Sequence, residues 1–136
     1  MTKLFALTVA GFAVLAGTAL AARTASVTAT VKESGSSATV TIANGTGKPS
    51  AGFFINSTDN PKITGVSNKA CKLGTSPWSA KGKKHVDYWA NCAMSVSVAA
   101  GKKLVITLTI NGKGTIFVWA KNGSAHAVQT KIGQGD

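Results

Sequence analysis

From residue 26 onward apolar and polar positions alternate along the chain. Val27, Ala29 and Val31 alternate with Ser26, Thr28 and Thr30, and Ala38, Val40 and Ile42 alternate with Thr39 and Thr41. A period of two turns successive side chains to opposite faces, so both segments read as half-buried strands. Between them, Glu33-Ser34-Gly35-Ser36-Ser37 predicts a polar hairpin loop, and Asn44-Gly45-Thr46-Gly47-Lys48-Pro49 ends the second strand. A third strand is expected over residues 51 to 56, with Phe53 and Ile55 on one face and Phe54 on the other. After an Asp59-Asn60-Pro61 turn, a shorter strand over 62 to 67 carries Ile63 and Val66.

Residues 74 to 85 are rich in Gly, Ser, Pro and Lys, show no clear period, and predict a long loop. Residues 86 to 89 and 94 to 98 read as two further strands, before a connection at Ala99-Ala100-Gly101-Lys102. The strongest alternation follows: Leu104, Ile106, Leu108 and Ile110 against Val105, Thr107 and Thr109. Asn111-Gly112 is a favoured type I′ pair and predicts a hairpin. Its return strand over 115 to 120 sets Ile116, Val118 and Ala120 against Phe117 and Trp119, and Asn122-Gly123 turns the chain into a last strand over about 125 to 132. Seven or eight short strands joined by Gly and Asn turns predict an antiparallel all-β sandwich.

The first 21 residues do not belong to this pattern. They carry one cation, Lys3, an apolar run from residue 4 to 20, and the closing triplet Ala19-Leu20-Ala21, the three-part layout of a secretory signal peptide. The run is too short and too rich in Ala and Gly to span a bilayer comfortably. Cleavage before Ala22 leaves one domain of residues 22 to 136, expected to be extracellular, periplasmic or held at the cell surface. That part has fourteen basic and four acidic side chains, a net charge of about +10 with histidine neutral. Such an excess favours anionic partners: acidic wall polymers, lipopolysaccharide, anionic lipid or extracellular nucleic acid. Only Arg23 among the cations is arginine, so specific readout of nucleic acid is not expected. Cys71 and Cys92 are the only cysteines, and in an oxidising compartment they predict a disulfide closing a 22-residue loop.

Several segments together resemble the conserved repeat domain of bacterial surface and secreted proteins. These are Val40-Thr41-Ile42-Ala43-Asn44-Gly45-Thr46-Gly47, Cys71, Trp89-Ala90-Asn91-Cys92, Ala99-Ala100-Gly101 before the residues from Leu104 to Ile110, and Gly114-Thr115. The resemblance covers about residues 38 to 120. It implies an immunoglobulin-like sandwich on the cell exterior and names no ligand. The Leu-Pro pair usual after the third strand of that family is replaced by Phe54-Ile55-Asn56-Ser57, and the module stands here as a single basic copy.

No catalytic group assembles from the inventory, and no enzyme activity, metal site or cofactor is expected. Glu33, Asp59, Asp87 and Asp136 offer no evident carboxylate pair. Ser79, His85 and Asp87 lack a nucleophile-elbow pattern, and the two cysteines with His85 and His126 fit no zinc spacing. The informative stretch is residues 78 to 89, where two Trp, one Tyr and three Lys lie close together, because aromatic faces beside cations suit sugar rings and stacked bases. Trp78, Lys81, Lys83, Lys84, His85 and Tyr88 are the candidate ligand-binding residues. Trp89, three residues before Cys92, is expected to pack on the disulfide. If Val118 faces inward, Phe117 and Trp119 either form an outer aromatic pair or are buried against a crossing loop. The reading that follows is a secreted, non-catalytic binding or structural module that associates with anionic envelope polymers or glycans. A cationic effector acting on membranes of competing cells and a small secreted hydrolase are the alternatives.

Overall fold

The computed structural model describes residues 26–121 and the backbone of residues 130–132. The expected signal peptide, the expected Asn122-Gly123 turn and residues 125 to 129 of the last expected strand lie outside the described residues. The described residues form two antiparallel β-sheets and no helix. The strands are β1 (Val27–Ser34), β2 (Ser37–Asn44), β3 (Ser50–Thr58), β4 (Lys62–Val66), β5 (Cys71–Ala80), β6 (Lys83–Val98), β7 (Lys103–Asn111), β8 (Ile116–Ala120) and β9 (Thr130–Ile132). One sheet has the order β1-β2-β7-β4, the other β5-β6-β3-β8-β9.

The alternation in the sequence sets which faces meet. Val27, Ala29 and Val31 of β1, Val40 and Ile42 of β2, and Ile106, Leu108 and Ile110 of β7 turn one apolar face inward. Phe53, Ile55, Ala90, Cys92, Ile116 and Val118 of the other sheet join them in a single core. Removing such side chains from water is the main favourable term in folding, worth roughly 1.5–3 kcal/mol for each large aliphatic or aromatic group. Asn44 is buried at the end of β2, where its Nδ2 donates to the carbonyls of Lys48 (2.7 Å) and Val98 (3.0 Å). It thereby closes the loop that follows, and its amide is committed to the fold although Asn44-Gly45-Thr46 has the form of a glycosylation acceptor.

Four sequence expectations are corrected. Residues 74 to 85 are not a loop: β5 and β6 pair continuously from Cys71↔Cys92 to Ala80↔Lys83. Beyond Leu73 both faces of β5 lie largely in water, so no apolar alternation marks it as a strand. As an edge strand it also accepts Pro77. Secondly, the strands expected over 86 to 89 and 94 to 98 are one strand, β6, with an irregularity in its pairing to β3 between Ala51 and Phe53. Thirdly, Asn111-Gly112 does not close a hairpin. Both edges of β7 are taken, by β2 and β4, so the chain crosses to the other sheet and β8 pairs with β3. Finally, the β1–β2 loop shrinks to Gly35 and Ser36, because Glu33 and Ser34 pair with Ala38 and Ser37. Nine strands form among the described residues, where seven or eight were expected.

Candidate binding face

Register places the outward side chains of the five-stranded sheet in rows across β5, β6, β3 and β8. The first row is Lys72, Asn91, Phe54 and Trp119, and the second is Gly74, Trp89, Asn56 and Phe117. Ser76, Asp87 and Thr58 make the third, Trp78 and His85 the fourth, and Ala80 and Lys83 the last. All three tryptophans of the chain and two of its phenylalanines therefore stand on one surface, on the far side of the sheet from the core.

Hydrogen bonds hold the indoles in place. Trp78 Nε1 donates to Asp87 Oδ1 (2.9 Å), Trp89 Nε1 to Ser76 Oγ (3.0 Å), and Trp119 Nε1 to Asn56 Oδ1 (2.9 Å). With its one polar edge occupied, each ring has only its π face left to offer. Trp89 lies across the backbone of Gly74, where a Cβ would stand 2.1 Å from its Cζ2. A side chain there would displace the ring, so glycine is what lets the indole lie down on the sheet. Phe54 continues this surface, its ring centroid 6.0 Å from that of Trp89 with planes inclined by 29°. Trp78 stacks on His85 at 4.4 Å.

The hairpin that carries Trp78 is fixed at both ends. At its base, Cys71 and Cys92 are directly opposite and disulfide-bonded, with Cα atoms 3.8 Å apart. At its tip, Lys81 and Gly82 both take positive φ (52° and 77°), as a two-residue type I′ turn requires. Midway, the β3–β4 turn grips it. Asp59 Oδ1 accepts the Val86 N–H (2.9 Å), Asp59 Oδ2 meets His85 Nδ1 (2.7 Å), and Thr58 Oγ1 donates to Asp87 Oδ1 (2.8 Å). The bond to His85, and then the Val86 N–H, lower the Asp59 pKa below its ordinary 3.8.

Lys81, Lys83 and Lys84 are all exposed at the tip, and among the described residues no lysine pairs with a carboxylate. Of the six residues singled out in sequence, Trp78 and His85 meet on the outer face, with the lysines beyond them. Tyr88 does not join them: it follows the parity of Ala90 and packs against the core. Trp89 departs from its expected place for the same reason. It stands three positions before Cys92, and an odd offset in a strand puts two side chains on opposite faces. That parity was the signal for the site, hidden by the break expected between the strands over 86 to 89 and 94 to 98. Phe54 was missed because only the pairing of distant strands brings it beside Trp89, and Asn91 and Lys72 because the continuous β5–β6 hairpin that sets them on its face was not expected. Ser79 lies on the other face of β5 from His85, whose partner is Asp59 rather than Asp87.

No protein-family model and no curated protein matches the chain. Among the described residues no helix is long and apolar enough to cross a membrane.

Proposed function

We propose that this protein is a secreted, non-catalytic binding module of the bacterial envelope, with an immunoglobulin-like sandwich similar to the conserved repeat domain of surface proteins. The strand orders support the fold reading. The sheet β1-β2-β7-β4 matches the A-B-E-D order of an immunoglobulin-like sandwich, and β3-β8-β9 matches C-F-G. On that plan the β5–β6 hairpin is an addition between the fourth and fifth strands, laid beside β3. It widens one sheet face: β6 still supplies Ala90, Cys92, Val96 and Val98 to the core, whereas β5 beyond Leu73 supplies none.

The observation that carries the functional reading is the place of the aromatics. Trp78, Trp89, Trp119, Phe54 and Phe117 share a face that the core does not use, beside lysines free of carboxylate partners. Large side chains kept on such a face, with their polar edges tied down, suit contact with a partner. The net charge selects anionic polymers as that partner.

Retention of the oxidised protein on purified cell envelope tests the reading. It should fall steeply as salt rises, because screening weakens contacts between exposed charges. Lys81, Lys83 and Lys84 changed together to Gln should weaken retention more than the same change at Lys102, Lys103 and Lys113, and leave the melting temperature nearly unchanged. Retention that ignores salt would count against the reading, and equal losses from the two triples would assign the binding to a diffuse positive field.

A further inference from the structure

Within that face one region combines stacking surface with charge. Trp89, Phe54 and Trp119 lie in two adjacent rows, and exposed lysines flank them, Lys72 on β5 and Lys121 just after β8. Lys121 Nζ donates to Asn91 Oδ1, so its ammonium is held over the same row. The carboxylates on and beside this face are already engaged: Asp87 accepts from Trp78 and Thr58, and Asp59 accepts from Val86 and meets His85. This end of the face thus joins three outward aromatic rings to positive charge that no carboxylate among the described residues compensates.

We infer that this end binds a linear acidic polysaccharide, its pyranose rings lying on Trp89, Phe54 and Trp119 and its carboxylates beside Lys72 and Lys121. The inference rests on the binding-module reading and adds the ligand class to it. A sugar ring offers an apolar C–H face and an equatorial rim of polar groups. It fits a surface whose indoles present π faces, with Asn91 and Asn56 between the rings and lysines beside them. Outward positions on a sheet recur about every 4.8 Å across strands and about 6.7 Å along them, so neighbouring aromatics lie about one ring apart. An open, flat surface accepts a chain passing across it, whereas a single sugar would call for a pocket. Lysine meets carboxylate or phosphate alike as a point charge, and among the described residues no arginine supplies the bidentate fork that reads bases.

Binding of the oxidised protein to four probes at low ionic strength tests the inference. Polygalacturonate has rings and carboxylates, cellohexaose rings alone, polyphosphate charge alone, and a thymidine oligonucleotide has charge with planar bases. Polygalacturonate should bind at least about tenfold more tightly than each of the others, the scale of one stacking contact. Trp89→Ala with Trp119→Ala should remove about tenfold or more of that affinity and leave polyphosphate binding unchanged. Lys72→Gln with Lys121→Gln, both exposed and free of any role in the core, should also weaken polygalacturonate, and this pair reads the site if the tryptophan variant fails to fold. Equal binding of polygalacturonate and polyphosphate, indifferent to the tryptophans, would overturn the polysaccharide assignment and leave the anionic-polymer reading standing. A preference for the oligonucleotide would replace the ligand class with single-stranded nucleic acid. Binding to none of the three polyanions would remove both readings.

Discussion

Gly74 and Trp89 show how one missing side chain shapes a surface. The indole occupies the space a Cβ would need, so Gly74→Ala must lift the ring from β5. The substitution should cost about 1 kcal/mol, the lower end of overpacking penalties, and change the near-ultraviolet circular dichroism of the tryptophans. An unchanged spectrum would mean that Trp89 does not rest on Gly74. Asp59 offers a second test at this scale. Its pKa is lowered in the folded protein, so it contributes stability above its unfolded value and loses that contribution as pH falls through the lower folded value. The melting temperature should therefore drop on acidification below about pH 4, and Asp59→Asn should flatten that part of the profile. Equal profiles for the two proteins would show that the contact with His85 and Val86 contributes nothing to folding.

At the scale of elements, the hairpin β5–β6 differs from the rest of the fold. Most strands are held by an apolar face against the core, but β5 beyond Leu73 has none, and pairing, the Asp59 contacts and the disulfide hold it. Cys71→Ala with Cys92→Ala should lower stability by about 2–4 kcal/mol. Amide exchange should accelerate along residues 72 to 89 while β2 and β7 stay protected, and uniform acceleration would show that the disulfide braces the whole domain. The same contrast explains what could be read in the sequence. β1, β2, β3 and β7 each bury one face, and burial writes a period of two into the residues. β5 buries almost nothing, so only Gly, Ser, Pro and Lys were visible there. The Asn111-Gly112 signal failed because a turn motif describes local geometry, whereas the destination of β8 depended on β2 and β4 having filled both edges of β7.

Over the whole molecule, the two sheets turn different surfaces to solvent. The four-stranded sheet presents Thr28, Thr30, Thr39, Thr41, Thr107 and Thr109, short side chains that suit a solvated β-surface. The five-stranded sheet presents the aromatics. An anionic polymer drawn by net charge alone would touch both faces, and one recognised by the aromatic rows would touch only the second. Backbone amide shift mapping separates these cases. When soluble polymer released from the cell envelope is titrated into isotope-labelled protein, shifts should concentrate at Lys72, Trp89, Asn91, Phe54 and Trp119 and spare Thr28, Thr39 and Thr107. Shifts spread evenly over both sheets, or centred on the threonine face, would contradict the account.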